Sequence, residues 1–182
     1  MKKVLFSAGV VVLLMLASVM PVSAGHQQMG PEVPIKGTVL GFHEVDGVVA
    51  PGGVWQFFSS GEGQMSHLGR VEYSLQQTSS FDANFTVISS GTTTFTAANR
   101  DSLVIAHDVE SVIVGNFDGF IIEGTWIVVD GSGRFANATG HGTIDAVGDI
   151  PDSDVTMFGL AEGTAKFTLN GKISYNASDR SE

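Results

Sequence analysis

Two histidines lie in apolar surroundings, where an imidazole can do chemistry. If the chain alternates as a strand does, His67 and His107 each point to a mainly apolar face. The neighbours on these faces are Met65, Val71, Tyr73 and Leu75 for His67, and Leu103, Ile105 and Val109 for His107. An imidazole that lines a cavity can act as a base, an acid or a hydrogen-bond partner. The other interpretation is a histidine at a strand end that is bonded to a loop carbonyl, and the residues leave it open for both.

Glu123 is the best single acid candidate. It lies between Ile121 and Thr125 in an otherwise apolar stretch, and a buried carboxyl has a raised pKa that suits it to act as an acid or to bind a polar ligand group. Alternation puts Glu123 and Trp126 on opposite faces. Only one of the two can therefore face the interior unless a bulge intervenes, so the weak catalytic candidates are Glu123, His67 and His107.

Aromatic side chains accompany the histidines at strand spacing, and together they suggest a ligand site. The predicted ligand-binding set is Trp55, Phe57, His67, Tyr73, His107 and Trp126. Such a set could line a binding site for an apolar molecule, but aromatic rows in a barrel can also belong to an ordinary hydrophobic core. Both interpretations stay open.

Other chemistries lack their residues. The histidines His26, His43, His67, His107 and His141 are scattered without paired ligand spacing and there is no cysteine, so we expect no metal site and no cofactor. Asp149, Asp152 and Asp154 form a local acidic cluster, which we interpret as solvated rather than as a calcium loop. No nucleophile elbow and no phosphate-binding loop occurs.

The first residues have the pattern of a secretory signal peptide. Lys2 and Lys3 precede an apolar run, and Val22-Ser23-Ala24 is a cleavage site of small residues. We expect cleavage near Ala24, and a secreted protein, periplasmic or extracellular, without a membrane anchor. Removal of residues 1–24 leaves 7 basic against 19 acidic residues, a formal net charge of −12, which disfavours nucleic acid as a partner.

The rest of the chain has an all-β pattern, in which short apolar stretches alternate with Gly, Asn, Asp and Ser and no period of 3.6 residues is sustained. About eight or nine strands are predicted, a number that favours a barrel or a sandwich. The predicted strands are 35–42, 54–58, 65–77, 83–88, 92–97, 103–109, 120–129 and 164–175, with hairpin turns at 89–91, 99–101 and 130–133. We expect residues 25–34 to be a flexible N-terminus, residues 35–175 to form one barrel domain and residues 176–182 to be a flexible tail.

The stretch Phe120 to Val129 is apolar on both faces. Ile121, Ile127 and Val129 occupy the face opposite Trp126. An apolar outer face indicates a cover, either another segment or a second subunit. A homo-oligomer, trimer or dimer, is therefore one of the expected partnerships.

The segment from Asp130 to Gly142 resembles a known family. Its pattern is Gly131-x-Gly133, then Arg134-Phe135, then Ala138-Thr139-Gly140, which is similar to the signature of dirigent proteins and allene oxide cyclases. The segments His67-Leu68-Gly69-Arg70 and Thr96-Ala97-Ala98-Asn99 resemble features of bacterial secreted relatives with the same barrel. The resemblance implies an all-β, single antiparallel eight-stranded β-barrel, calycin-like and commonly trimeric, with an apolar cavity for a hydrophobic small molecule. The motif residues Gly131, Gly133, Arg134, Phe135 and Gly140 have a structural role in this interpretation, since a tight hairpin needs glycine.

Dirigent proteins usually carry Arg immediately before the final Gly of the motif, where this chain has Thr139. This departure counts against guidance of radical coupling. Three functions remain: a secreted barrel that binds a hydrophobic small molecule, a cofactor-free isomerase of the cyclase type or a dirigent-like protein, and a structural or interaction protein that uses the outside of the barrel. The first is favoured over an enzyme.

Overall fold

The computed structural model of the protein describes residues 30–47, 52–82, 86–114, 119–149 and 161–176. These residues form strands and one short 3-10 helix, Gly133–Phe135. The strands are β1 (Val33–Gly47), β2 (Val54–Met65), β3 (Gly69–Phe81), β4 (Val87–Ala97), β5 (Ser102–Val114), β6 (Gly119–Gly131), β7 (Thr139–Asp149) and β8 (Ala161–Ser174). No helix among the described residues is long and apolar enough to cross a membrane.

The eight strands form one closed antiparallel barrel. Each strand pairs with the next along the chain, and β8 pairs with β1 from Val33↔Ile173 to Val45↔Ala161. The prediction of an all-β, eight-stranded antiparallel barrel is therefore confirmed. Closure leaves none of these eight strands with an unpaired edge.

Strand alternation explains which side chains fill the barrel. In β8, Ala165, Phe167, Leu169 and Ile173 are buried, while Lys166 and Lys172 point out. The predicted alternation of this segment is confirmed. The same period of two runs through β3, where every second residue from Val71 to Ser79 is buried.

Two turn predictions were wrong. The predicted strand 65–77 is interrupted, because the chain reverses at residues 66–68 and the Ser66 amide donates to the Lys36 carbonyl at 2.8 Å. Conversely, the predicted turn at 89–91 is part of the continuous strand β4. A Cβ at Gly91 would collide with the Gln76 carbonyl and with Gln77 on the neighbouring strand. The glycine therefore allows β3 and β4 to pack closely and does not mark a turn.

One end of the barrel is closed by turns and side chains, and we call it the sealed end. The connections here are residues 66–68, 98–101 and 132–138. The fully buried Phe135 ring lies 4.9 Å from the Tyr175 ring, and the Arg134 guanidinium stacks over Phe135 at 5.0 Å. Arg134 also pairs with Asp101 at 3.2 Å. The 3-10 turn therefore places the Phe135 ring in the interior at the sealed end of the barrel.

Two motif glycines have steric reasons at the sealed end. Gly133 has φ of 58°, and a Cβ there would overlap the Asp101 carboxylate. A Cβ on Gly131 would overlap the Phe135 carbonyl. These contacts account for the glycines of the Gly-x-Gly pattern without a ligand.

The outer face of β6 is apolar and exposed in the single chain. Ile121 is 44% exposed, Ile127 56% and Val129 50%. Val129 is also the extra residue of a β-bulge, because Val104 pairs with Asp130 while Ile105 pairs with Val128. The inner face of β6 is buried as expected, but no described segment of the chain covers the outer one.

Candidate functional site

Buried polar side chains concentrate in the half of the barrel away from the sealed end. We call this region the polar half; its members are His43, Gln77, Ser79, Ser89, Thr93, His107 and Ser111. All but Thr93 and His107 lie within four residues of a strand terminus at the far end. A barrel core normally excludes such groups unless they are hydrogen-bonded.

Small residues line the polar half on β7 and β8. They are Ala146, Gly148, Gly163 and Ala165. A Cβ on Gly148 would overlap the Phe120 ring, and one on Gly163 would come within 2.6 Å of His43 Cε1, so both glycines face inward. The two rings fit because these positions carry no side chain.

His107 is a satisfied, neutral histidine. It is 3% exposed, and its Nε2 donates to Gln77 Oε1 at 3.1 Å, while the Thr93 hydroxyl lies 3.5 Å from Nδ1. Burial lowers the pKa of His107 to about 4, and the nearby Asp108 only partly offsets this. His107 is therefore uncharged at neutral pH and already has its partners.

His43 is equally buried but lacks a partner at one nitrogen. Its ring stacks on Phe57, with 5.1 Å between centroids, and meets the edge of Phe120 at 5.2 Å. It is 3% exposed, and its buried Nδ1 has no hydrogen-bond partner among the described residues. Burial lowers the pKa of His43, against an opposing effect of Asp149. An unsatisfied buried nitrogen costs about 1–3 kcal/mol, so His43 would gain from a partner that the described residues do not supply.

The hydroxyls of the interior are mostly paired with one another. Ser79 and Ser89 share a hydrogen bond of 2.8 Å across β3 and β4. Ser59 bonds the Tyr73 hydroxyl at 2.8 Å, and burial raises the pKa of Tyr73. These pairs need no external partner. Among the described residues, two buried side-chain atoms have no hydrogen-bond partner, His43 Nδ1 and Arg134 Nε. Arg134 Nε forms an ion pair with Asp101 at the sealed end, so His43 Nδ1 is the one that lies in the polar half.

The described interior holds no fixed positive charge. The basic side chains described are Lys36, Arg70, Arg100, Arg134, Lys166 and Lys172. Five are exposed, and the half-buried Arg134 is at the sealed end, paired with Asp101. A carboxylate that entered the polar half would therefore meet two neutral imidazoles and no cation among these residues.

Five of the six residues predicted to bind a ligand are buried inside the barrel: Trp55, Phe57, Tyr73, His107 and Trp126. Trp55 and Phe57 lie in the polar half near the far end. Trp126 lies deeper, and its indole N–H donates to the Thr143 carbonyl at 2.9 Å. These five side chains therefore all lie inside the barrel, at different depths.

His67 does not join them. It lies in the turn at the sealed end with φ of 69°, not on a strand facing the interior, because the chain reverses there. Its Nε2 is 2.8 Å from the Pro34 carbonyl, and its Nδ1 is 3.1 Å from the Tyr175 hydroxyl. The strand-end interpretation describes His67, and its expected place beside Met65 and Tyr73 was wrong.

Glu123 faces outward and is exposed. The alternation that turns Trp126 into the barrel turns Glu123 out, and the bulge at Val129 comes too late to change this. Glu123 pairs across strands with Glu110 and with Asp145, which makes a row of three carboxylates in an outer groove of about 700 Å³. The buried acid considered from the sequence is not present at this position.

Sequence reasoning missed His43. The predicted first strand ended at Phe42, whereas β1 continues to Gly47 and buries Val39, His43 and Val45 in alternation. Extending the period of two by a few residues would have placed His43 inside. Among the described residues, no group of three or more His, Cys, Asp or Glu is arranged to hold a metal ion.

Comparisons with known proteins give this site no named counterpart. The chain matches no protein-family model, no curated protein and no solved structure.

Proposed function

We propose that the protein binds a small, largely hydrophobic molecule in the polar half of its barrel. The observation that carries the proposal is His43, whose buried Nδ1 has no partner among the described residues. Protein interiors rarely leave such a group unsatisfied, and those that do often reserve it for a ligand or an ordered water.

The surroundings of His43 support a mainly apolar ligand. Phe57 and Phe120 contact the imidazole ring, and Trp55 lies two residues from Phe57 on the same face of β2. Binding sites for small molecules combine such apolar walls with a few polar groups that fix orientation. Gly148 and Gly163 make room for the Phe120 and His43 rings, so both rings pack directly against the backbones of β7 and β8.

Mass spectrometry tests the proposal directly. The protein, purified from bacteria that express the full sequence, is measured under native and under denaturing conditions. We expect a small-molecule mass surplus in the native spectrum that is lost on denaturation. Fully ligand-free protein, both as purified and after incubation with an uncharged hydrophobic probe such as N-phenyl-1-naphthylamine, would contradict the proposal.

A matched pair of variants locates the ligand. Ser111→Leu adds bulk inside the polar half, where Ser111 is 7% exposed, whereas Val112→Leu adds bulk to a side chain that is 59% exposed on the outside. We expect Ser111→Leu to lose the bound mass and Val112→Leu to retain it. If both variants retained the bound mass equally, the ligand would not lie in the polar half.

The relation to allene oxide cyclases and dirigent proteins belongs to the same proposal. The closed barrel and the Gly131 to Gly140 motif support it, but the motif also has a steric explanation at the sealed end. A cyclase-type isomerase is a weaker proposal, since Glu123 is outside and His67 is at the sealed end. His43 and His107 are the imidazoles left for such chemistry.

An interaction role is the second candidate, and one observation favours it. Val112, Ile121 and Val147 stand side by side on β5, β6 and β7, all exposed, which forms an apolar outer row. The native mass spectrum also gives the subunit number. An oligomer that Ile121→Asp dissociates, while exposed Thr125→Asp on the same strand does not, would support this role.

A further inference from the structure

We infer that the ligand of the polar half is uncharged and carries a hydroxyl group that pairs with His43 Nδ1. This inference rests on the proposed function and names the chemical class of its ligand. It is carried by the geometry around His43 and by the distribution of charge.

The state of the ring selects a hydroxyl. A neutral imidazole has one donor and one acceptor nitrogen, and either tautomer places one of these roles at Nδ1. A hydroxyl can donate or accept, so it satisfies Nδ1 in both tautomers, whereas a ketone serves only a donor and an amine cation only an acceptor.

The charges near the site exclude an anionic ligand. Asp149, which is exposed, is close enough to His43 to affect its pKa, and Thr164 holds that carboxylate in place through Oδ1 with a bond of 2.7 Å from its hydroxyl. His107, the other interior imidazole, is neutral and occupied by Gln77. The described basic side chains are exposed or at the sealed end, so a buried carboxylate would have a negative neighbour and no cation.

The aromatic contacts favour a ligand with a flat apolar body. Phe57 and Phe120 meet at 90° with 6.0 Å between centroids, and the His43 ring stacks on one and abuts the other. A ring beside this cluster can adopt the same stacked or edge contacts.

Three probes that share one skeleton test the inference: naphthalen-2-ylmethanol, 2-naphthoate and 2-methylnaphthalene. Their affinities are measured by equilibrium dialysis at pH 8 with the wild-type protein. We expect the alcohol to bind at least tenfold more tightly than the carboxylate. Equal or tighter binding of 2-naphthoate would overturn the inference and leave the proposed function standing, while binding of none of the three would overturn both.

A variant of His43 isolates the hydrogen bond. In His43→Phe, whose ring suits the aromatic cluster, we expect the ratio of alcohol to hydrocarbon affinity to fall about three- to tenfold. His43→Gln, which keeps a donor and an acceptor, should restore part of that ratio. Circular dichroism of each variant checks the fold, and an unchanged ratio in folded His43→Phe would overturn the pairing with Nδ1.

Discussion

The two ends of this barrel fill their interiors with different kinds of side chain. At the sealed end, Phe135, Tyr175 and Leu68 close the interior with apolar contacts, His67 contacts the Pro34 carbonyl and the Tyr175 hydroxyl, and Arg134 forms an ion pair with Asp101. In the polar half, imidazoles, hydroxyls and an amide share the interior with alanine and glycine. The first arrangement stabilises the fold. The second lowers the free energy of unfolding, because it buries polar groups that a purely structural core would not contain.

The largest difference between the ends should appear when an aromatic ring is removed. Phe135→Ala should destabilise the protein by about 3–5 kcal/mol, because Phe135 is 0% exposed and its cavity could not collapse. Phe120→Ala should cost about half as much, since Phe120 is 8% exposed and is the second residue of β6, where the strand end can relax and water can enter. Urea unfolding followed by tryptophan fluorescence measures both, and equal costs would show that the two ends are packed alike.

The pH dependence of stability should come from the polar half. His107 has a pKa of about 4 in the folded protein and 6.5 as its ordinary value, so below pH 6.5 the unfolded chain takes up a proton that the folded protein refuses. Stability is therefore fully present above pH 6.5 and falls by about 3 kcal/mol as the pH approaches 4.

Urea unfolding at several pH values between 7.5 and 4.5 checks this loss. His107→Gln should flatten the curve, while His141→Gln, which changes an exposed histidine on β7, should leave it as in the wild type. Parallel curves for wild type and His107→Gln would contradict the assignment.

A pair of glycines compares the turns at the two ends. Both Gly133 and Gly52 have positive φ, 58° and 79°, but a Cβ at Gly133 overlaps the Asp101 carboxylate, whereas one at Gly52 meets nothing within 4 Å. Gly52→Ala should cost about 1 kcal/mol from the backbone alone. Gly133→Ala should cost about 2 kcal/mol or more, because Asp101 must also leave Arg134. Thermal unfolding measures the difference. If Gly133→Ala and Gly52→Ala destabilise the protein equally, the contact with Asp101 is not what requires glycine at position 133.

The smallest effect concerns one hydroxyl pair. Ser89→Ala removes the partner of Ser79 inside the barrel and should cost about 1 kcal/mol. Ser90→Ala changes the next, exposed residue of the same strand and should change stability by less than about 0.5 kcal/mol. If both variants unfold at the same urea concentration, the interior hydroxyl pairs add nothing to stability.

Much of the barrel was predictable from alternation, and much of the site was not. Phe167, Leu169 and Ile173 follow a period of two that can be recognised in the sequence. In β6 the same period put Glu123 and Trp126 on opposite faces but did not decide which of them faces inward, because both faces of that strand are apolar. The turn at residues 66–68 was missed because His67 and Leu68 are not residue types that mark turns, although Gly69 follows with φ of 77°.

The polar half could not be predicted because its members come from four strands, β1, β3, β4 and β5, that only closure of the barrel brings together. Gln77, Ser89 and Ser111 are ordinary residues in their own segments. His43 was missed for a local reason, since the strand seemed to end one residue earlier. A residue whose significance lies in an absent hydrogen bond gives no signal in sequence.

The pairing of β1 with β8 has a consequence for how the protein is made. The first strand can complete its hydrogen bonds only after the last strand has been synthesised, so the contact of greatest sequence separation is also the one that closes the fold. Folding dominated by such distant pairing is slow. During translation the barrel therefore stays open until β8 is available, in a state that a chaperone can still hold.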